Sequence, residues 1–321
     1  MVNKDQRKPD VYCLMGPTAS GKTNLAVELV RQHPFEIISV DSAQIYRGMD
    51  IGTGKPRKET LKIAPHRLLD IKDPIEAYSA ADFRRDATRE ISSIIDSGKV
   101  PLLVGGTMLY FRILRDGMAD LPSANIKVRQ EIEEMAKNLG WAEVHRQLAK
   151  VDPAAAARIH LKDPQRLQRA LEVFIVSGKS ITDFYSEEAE KRSSNQNNQS
   201  FNLHFFGIQP LDRVVLNSMI KDRFDKMLKD GFVAEVESLF RRGDLTEKLP
   251  AIKSVGYRQV WRYLSGQSDY REMVEKSTIA TRQLAKRQLT WMKTWDRLNS
   301  LTLCGVKARD HILNYVETVS I

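Results

Sequence analysis

The chain has 321 residues, and its 50 Lys and Arg against 41 Asp and Glu give a net charge of +9. This length and an apolar content of 42% predict a soluble globular protein with one elaborated α/β domain or two domains. The two cysteines, Cys13 and Cys304, form no Cys-x-x-Cys pair, which argues against a disulfide framework and against a structural zinc site.

Charge and hydropathy also limit the partners that we expect. No apolar run approaches membrane-spanning length, and the first residues lack the apolar core of a signal peptide. We therefore expect a cytoplasmic protein without membrane contact. The positive charge suits a polyanionic partner, although a merely basic cytosolic protein would carry it as well.

The first motif lies between a short apolar run at residues 11–15, typical of a buried parallel strand, and a helical pattern at residues 24–30. It fits the phosphate loop G-x-x-x-x-G-K-[ST] and consists of Gly16, Pro17, Thr18, Ala19, Ser20, Gly21, Lys22 and Thr23. The glycines let successive N–H groups point into one concavity at the start of the helix. We expect Lys22 over the terminal phosphate and the Thr23 hydroxyl on Mg²⁺.

Two further strands end in residues that could bind the same ligand. The strand at residues 36–40 ends at Asp41, and the strand at residues 100–104 ends in Gly105-Gly106-Thr107. Ligands of parallel sheets bind beyond the carboxyl ends of strands, so Asp41 and Thr107 are predicted to face the phosphate loop. Both residues would also suit an ordinary turn or helix cap.

Residues 68–71 are predicted as another strand. A helix is predicted from about residue 78 to residue 96, with Ser79 as its N-cap and Asp82 at the capping-box position.

From about residue 122 the pattern becomes helical only. Asp152 and Asp163, each followed by proline, are predicted N-caps. Two core stripes are predicted, one of Val128, Ile132, Met135, Leu139, Trp141, Val144 and Leu148, the other of Leu167, Ala170, Leu171, Phe174 and Ile175. Gln165, Arg166 and Arg169 lie off the second stripe and are predicted to be free for a ligand. The polar tract at residues 193–200 is predicted to be a mobile loop.

The remainder returns to a strand at residues 203–208 and a helix at residues 213–231 that carries Lys221, Arg223 and Lys226. Residues 278–297 are predicted to form a helix with an apolar face of Ala280, Leu284, Trp291 and Trp295 opposite a basic stripe of Arg282, Lys286, Lys293 and Arg297. Such a stripe suits either a nucleic-acid backbone or plain solvent. The predicted fold is α/β, a P-loop nucleoside triphosphate hydrolase-like core with a parallel sheet (residues 1–121 and 201–321) and an all-helical insertion (residues 122–200).

At this point the motifs resemble one family, the bacterial tRNA dimethylallyltransferases. The resemblance spans roughly residues 10 to 300, and its segments are residues 16–23, 39–46, 103–110, 163–172, 255–259 and 281–288. It implies transfer of a dimethylallyl group from dimethylallyl diphosphate to N6 of the adenosine at tRNA position 37, in the anticodon stem-loop. A monomeric enzyme is expected.

The resemblance also implies roles for single residues. Residues 16–23 would bind the diphosphate, with Mg²⁺ on Thr23, and the catalytic residues would be Asp41 as the base, Thr107 near the bridging oxygen and Arg223 over the diphosphate. The residues implied in tRNA binding are Asp41, Ser42, Ala43, Gln44, Thr107, Arg129, Gln165, Arg166, Leu167, Gln168, Arg169, Lys253, Ser254, Val255, Gly256, Tyr257 and Arg258, to which the basic stripe adds Arg282 and Lys286.

Two other classes of function remain open at this stage. Residues 37–41 also fit a Walker-B strand that ends in a Mg²⁺-binding aspartate, as in a nucleoside or small-metabolite kinase. The charge of +9 and the basic stripe are features that such a kinase would not need. A nucleotide-switched RNA-binding protein without chemistry is the third class, and it leaves Asp41 and Gly105-Gly106-Thr107 without a role.

Overall fold

The structure, a computed structural model, describes residues 7–194, 200–210, 212–302 and 305–320. Its strands are β1 (Asp10–Met15), β2 (Phe35–Val40), β3 (His66–Arg67), β4 (Val100–Gly105), β5 (Asn202–Ile208) and β6 (Asn299–Leu301). The described helices are α1 (Lys22–Gln32), α2 (Lys58–Ile63), α3 (Ala80–Asp96), α4 (Met108–Asp116), α5 (Ile126–Leu139), α6 (Trp141–Val151), α7 (Pro153–Arg158), α8 (Pro164–Ser177), α9 (Ile181–Ser194), α10 (Arg213–Lys229), α11 (Phe232–Phe240), α12 (Tyr257–Leu264), α13 (Tyr270–Lys293) and α14 (Val306–Ser320).

The strands form one parallel sheet in the order β3-β2-β4-β1-β5-β6. Successive side chains of a strand point to opposite faces, and in β1 Cys13 packs on one face while Tyr12 and Leu14 pack on the other. Apolar residues of α3 and α4 cover the first face, and those of α1 and α14 cover the second. Both faces are therefore buried, which explains the continuous apolar runs of the strands and confirms the predicted α/β class.

A separate apolar cluster supports the segment that follows β2. Helices α10, α11, α12 and α13 contribute Phe224, Phe232, Tyr257 and Met273 to it, and the segment contributes Ile45, Tyr46 and Met49. Residues 45–51, which contain little regular structure, are thus packed against helices.

The chain divides into two compact units, Met1–Asp116 with Ser200–Ile321 and Gly117–Gln199. The second unit includes the helical insertion predicted at residues 122–200, apart from its last residue. The second unit contains α5 to α9. Its predicted N-caps are confirmed, because the Asp152 and Asp163 side chains accept the N–H groups of Ala155 (2.8 Å) and Arg166 (3.2 Å).

The capping box of α3 is confirmed as well. The Ser79 hydroxyl accepts the Asp82 N–H at 3.1 Å, and the Asp82 carboxylate accepts the Ser79 N–H at 3.0 Å. The predicted strand at residues 68–71 is wrong. The third strand is β3, which ends at Arg67, because Leu68 (φ 61°) and Asp70 (φ 56°) adopt the left-handed conformation and cannot continue a strand.

The predicted core stripes of the second unit are confirmed except at Leu139 in the first stripe and Ile175 in the second. Leu139 and Ile175 are 66% and 46% exposed, in the last turns of α5 and α8. In α8 the buried positions shift to Glu172 and Val173, because Glu172 is turned inward by hydrogen bonds that periodicity does not reveal. Arg169 is not free, because its guanidinium bonds to Glu172.

The long C-terminal helix differs from its prediction in extent and in its buried face. Helix α13 begins at Tyr270 and ends at Lys293, so that Trp295 and Arg297 follow it. The buried residues of the helix are Met273, Ser277, Ala285, Gln288 and Met292, and Leu284 and Trp291 are partly exposed. The buried face is set by several different neighbours, among them α12, α10 and the phosphate loop, which one periodic pattern cannot describe.

Part of the predicted polar loop and one of the two cysteines lie outside the described residues. Helix α9 continues through Ser194, and residues 195–199 of the predicted polar loop are not described, nor is Cys304. Cys13 is buried in β1, as expected for a small apolar residue. Among the described helices, none has both the length and the apolar character that crossing a bilayer requires.

Candidate active site

Three loops meet at the carboxyl edge of the sheet because β4 lies between β1 and β2. The Thr107 N–H donates to the Val40 carbonyl at 3.2 Å, and the Ser42 N–H donates to the Thr107 hydroxyl at 3.1 Å. Gly105 permits this close approach, since a Cβ there would lie 2.0 Å from the Val40 oxygen. Thr107 is therefore fixed beside the segment that begins at Asp41.

The phosphate loop has the conformation that its glycines predict. Gly21 precedes α1 with φ 83°, and Ala19 also has a positive φ of 63°, an uncommon conformation for a residue with a side chain. The Lys22 ammonium donates to the Pro17 carbonyl at 2.6 Å and so closes the loop on itself. Thr18, Lys22 and Thr23 all line one cavity.

That cavity has a volume of about 480 Å³ and lies within the first unit. Of the residues singled out in the sequence, it brings together Thr18, Lys22, Thr23, Asp41, Ser42, Ala43, Gln44, Thr107, Arg223, Lys253, Ser254, Val255, Gly256 and Tyr257. Its wall also contains apolar side chains, among them Met108, Leu109, Phe224, Met227, Phe232, Leu284 and Trp291. The cavity can thus hold a charged group at the phosphate loop and an apolar or aromatic group against the wall.

Asp41 is both a turn residue and a cavity residue. Its Oδ1 accepts the N–H groups of Ala43 (2.8 Å) and Gln44 (3.2 Å), which is the hydrogen bonding of an Asx turn. Among the described residues no hydrogen bond reaches Oδ2. The carboxylate is therefore held in a fixed orientation through one oxygen, and the second oxygen is available to a ligand.

Arg223 places a guanidinium in the same cavity. Burial lowers the pKa of Arg223, and the negative charge of Asp41 opposes that shift. Its Nη2 donates to the Thr53 carbonyl at 3.4 Å, and a Cβ on Gly54 would lie only 2.1 Å from Nη2. In the described structure no carboxylate forms an ion pair with Arg223. Its positive charge is therefore available to a bound anion.

Glu235 on α11 was missed in the sequence although it holds one wall of the cavity. Its carboxylate accepts the N–H groups of Asp50 (2.9 Å), Ile51 (2.6 Å) and Gly52 (3.1 Å), together with the Tyr257 hydroxyl at 2.5 Å. Burial and then the Glu235 charge raise the pKa of Tyr257 well above its usual value. No local signal in the sequence indicates this residue, because the three N–H groups that it accepts lie 183 to 185 residues away.

Lys55 fixes the other end of the same segment. Its ammonium is almost fully buried and contacts Asp50 (2.5 Å), Asp70 (2.6 Å) and the Tyr46 carbonyl (2.9 Å). The segment from Tyr46 to Lys55 is thus anchored by one buried cation and one carboxylate. Its Thr53 and Gly54 carbonyls in turn accept hydrogen bonds from the Gln44 amide, each at 3.4 Å.

Gln288 is the second residue that the sequence did not single out, although it ends the last of the resembling segments. Its Oε1 accepts the Thr18 N–H at 2.9 Å, and its Nε2 donates to the Gly106 carbonyl at 2.9 Å. It therefore joins α13 to the phosphate loop and to the loop that carries Thr107. A buried polar residue on an apolar helix face is the one signal that could have revealed it.

Several of the sequence-selected basic residues lie outside the main cavity. Arg258 pairs with Glu247 at 3.3 Å, whereas Arg282 and Lys286 are exposed on α13. Lys286 lines a smaller cavity of about 230 Å³ with Arg213 and Lys293. Within the described part of the chain, none of Arg213, Arg282, Lys286 and Lys293 forms an ion pair with a carboxylate.

In the second unit, two of the three arginines singled out for tRNA contact, Arg129 and Arg169, bond to one buried carboxylate. Glu172 is fully buried and accepts Arg129 (2.8 Å), Arg169 (2.8 Å) and the Asn125 N–H (2.8 Å). Burial would raise the pKa of Glu172, but these hydrogen bonds hold it below its usual value. Gln168 bonds to the Arg129 carbonyl at 3.1 Å.

The other three residues of segment 165–169 differ in how far their side chains are exposed. Gln165 and Arg166 are exposed, whereas Leu167 is fully buried in the helical core. A ligand can therefore reach the side chains of Gln165 and Arg166, but not that of Leu167.

The donor atoms of the main cavity fit a magnesium ion that is held jointly with a diphosphate. The Thr23 hydroxyl and the Asp41 carboxylate both line it, and Mg²⁺ in proteins is commonly bound by one or two such oxygens together with substrate phosphates and water. A cage of three or more His, Cys, Asp or Glu side chains is not found among the described residues.

Comparison with known proteins identifies one family. Residues 44–295 match the IPP transferase family. The tRNA isopentenylpyrophosphate transferase of Bacillus halodurans is 34% identical, with coverage of 97% of this chain and 96% of that one and a TM-score of 0.69. The corresponding enzyme of Staphylococcus epidermidis is 30% identical, with coverage of 97% and 99% and a TM-score of 0.68.

A eukaryotic dimethylallyltransferase acting on tRNA is 25% identical, with coverage of 88% of this chain and 70% of that chain and a TM-score of 0.72. The family match spans more than half of the chain, and both bacterial relatives are at least 30% identical over nearly all of it. The chain therefore belongs to the IPP transferase family.

Proposed function

We propose that the chain transfers a dimethylallyl group from dimethylallyl diphosphate to tRNA, at N6 of the adenosine at position 37 beside the anticodon. The observation that carries the proposal is the single cavity in which the phosphate loop, Asp41, Thr107 and Arg223 meet an apolar wall. Family membership and relatives that act on tRNA support the same reaction.

The donor binds with its diphosphate on the phosphate loop. The Lys22 ammonium, the loop N–H groups and the Arg223 guanidinium stabilise the negative charge that grows on the diphosphate as its C–O bond breaks. Thr107 donates its hydroxyl proton toward the same leaving group, since its oxygen already accepts the Ser42 N–H. Bound to the diphosphate and Thr23, Mg²⁺ would add Lewis-acid stabilisation of the leaving group. The apolar wall receives the five-carbon allylic chain.

The acceptor is an adenosine amine, which is a weak nucleophile because its lone pair is delocalised into the purine. The new bond joins N6 to the allylic carbon, the C–O bond to the diphosphate breaks, and the N6 proton passes to Asp41 Oδ2. The Asx turn holds that oxygen in place during the transfer. The products are the N6-alkylated adenosine and diphosphate, with the proton on Asp41.

The adenosine must leave its base stack to reach the cavity. Residues 253–257 and residues 41–44 both line the cavity, so these segments are proposed to hold the extruded nucleotide. Gln165, Arg166 and the arginines around Glu172 are proposed to contact the anticodon stem-loop. The enzyme is proposed to act as a monomer in the cytoplasm, where its tRNA substrate is found.

The kinase alternative is not favoured, because a small-molecule kinase would require neither an apolar wall for an allylic chain nor membership of this family. The deciding experiment is nucleoside analysis of tRNA incubated with the protein, Mg²⁺ and either dimethylallyl diphosphate or ATP. We expect N6-(dimethylallyl)adenosine with the first donor alone. Phosphate transfer from ATP to a nucleoside, without prenylated tRNA, would reject the proposal.

A further inference from the structure

Gln288 lies between the phosphate loop and the loop that carries Thr107. The residue is 8% exposed, yet it lines the cavity and uses both ends of its amide. Oε1 accepts the N–H of Thr18 in the phosphate loop, and Nε2 donates to the Gly106 carbonyl. A Cβ on Gly106 would lie 2.4 Å from Nε2, so the side chain fits closely between the two loops.

The N–H groups of a phosphate loop are its means of binding phosphate oxygens. The N-terminal turn of α1, which begins at Lys22, is one end of this binding surface, and Thr18 lies at the other end. The Ser20 N–H is directed to the Pro17 carbonyl at 3.3 Å, which further shortens the surface. A chain of phosphates that starts at α1 and continues along the loop would next need the Thr18 N–H.

That N–H is already satisfied by a neutral amide oxygen. A third phosphate would lose this donor and would face Oε1, an acceptor that repels phosphate oxygens. We propose that Gln288 is a specificity-determining residue, which shortens the phosphate loop so that it accepts a diphosphate and discriminates against a triphosphate. The inference rests on the proposed function only for the identity of the natural ligand, which is a diphosphate.

A purely mechanical role for Gln288 would have different consequences. If the side chain only braced the two loops, its loss would weaken binding of all phosphate ligands alike. If it sets the length of the loop, its loss must change the preference between two ligands that differ by one phosphate. The ratio of two affinities is therefore the informative quantity.

The experiment measures binding of inorganic diphosphate and inorganic triphosphate, each with Mg²⁺, to the full chain by titration calorimetry without tRNA. We expect the parent to bind diphosphate more tightly. Gln288→Ala should move the affinity ratio toward triphosphate by about tenfold, since it returns one N–H donor to a charged ligand. Gln283→Ala, an exposed glutamine on the same helix, is the control and should leave the ratio unchanged.

Gln288→Glu supplies a second test, because it keeps an acceptor for Thr18 and adds a negative charge. It should shift the ratio further against triphosphate. The inference is overturned if the parent protein prefers triphosphate, or if the affinity ratio is the same in Gln288→Ala as in the parent. The measurement on the parent does not depend on the folding of any variant. Prenyl transfer by the parent is assayed separately, so that failure of the inference and failure of the proposed function are told apart.

Discussion

Asp41 engages its two carboxylate oxygens differently. Oδ1 accepts the N–H groups of Ala43 and Gln44, whereas Oδ2 has no hydrogen-bond donor in the described part of the structure. An asparagine at this position would retain an acceptor at Oδ1, and with it the turn. Replacement by asparagine therefore isolates the loss of charge and basicity from a change in the fold.

We expect Asp41→Asn to lower the rate of prenyl transfer by about 10²–10⁴-fold, the range of a general base, while dimethylallyl diphosphate and Mg²⁺ bind almost normally. Transfer is measured against pH at saturating Mg²⁺. If Asp41 is the base, the fall in rate of the parent on the acidic side of the pH profile should vanish in the variant.

A change in the Mg²⁺ requirement of Asp41→Asn would instead indicate that Asp41 binds the metal ion. In that case the variant would require a much higher Mg²⁺ concentration, and excess metal would restore transfer. Such a result would contradict the role of Asp41 as the base.

At the scale of elements, the segment from Asp50 to Gly54 has little contact with the sheet and depends on helix α11 for its position. Glu235 accepts three of its N–H groups, and its Thr53 carbonyl accepts Arg223. A misplaced segment would therefore misplace the guanidinium that is proposed to bind the diphosphate.

Glu235→Gln leaves at least one of these N–H groups without its acceptor, which costs about 1–3 kcal/mol of ordering free energy for the segment. We expect kcat/KM for dimethylallyl diphosphate to fall about tenfold or more. Glu237→Gln is the matched control, because Glu237 lies on the same helix and forms only an exposed pair with Arg241. Equal kinetics in the two variants would show that Glu235 does not position the site.

The helical unit from Gly117 to Gln199 contains its own buried carboxylate. The pKa of Glu172 is lowered in the folded protein, so the stabilisation that it supplies is present above its unfolded pKa of about 4.3 and is lost as pH falls. We expect this unit to lose stability selectively as pH falls below about 5. Hydrogen exchange of the α8 amides at several pH values measures it.

Glu172→Gln should remove that pH dependence and lower the free energy of unfolding of the unit at pH 7 by about 3 kcal/mol. This value lies near the low end for a broken buried ion pair, because Arg129 and Arg169 can reach water. Glu131→Gln, an exposed residue of the same unit, should have neither effect. If α8 exchanges alike in both variants, the buried carboxylate does not stabilise the unit.

At the scale of the whole molecule, the chain carries a net charge of +9. Arg282, Lys286 and Lys293 are exposed on α13 and have no carboxylate partner among the residues described, whereas Lys276 on the same helix pairs with Glu272. Unpaired cations along one helix are suited to bind a phosphate backbone and release its counterions.

We expect tRNA affinity to fall steeply with salt, and Lys286→Gln to reduce the slope of log affinity against log salt by about one unit. Lys276→Gln should leave the slope unchanged, since its charge is already neutralised. Binding isotherms at several salt concentrations measure both. A slope in Lys286→Gln identical to that of the parent would assign Lys286 to a surface that meets only solvent.

The sequence by itself determined the parts of the protein that depend on neighbouring residues. The phosphate loop between β1 and α1, the capping box of α3 and the N-caps at Asp152 and Asp163 all follow from local steric and hydrogen-bonding rules. The position of Asp41 beside the phosphate loop also followed, because parallel strands bring their carboxyl ends to one edge.

Only the tertiary structure decided which distant groups hold these parts in place. Gln288 meets Thr18 across 270 residues, and Glu235 meets Ile51 across 184. Periodicity predicted an apolar face for α13 but not the phosphate loop packed against it, and it could not place a buried Glu172 within α8. The physical reason is that a polar residue is buried only where partners from other elements satisfy it, and those partners are defined by the packing of the whole chain.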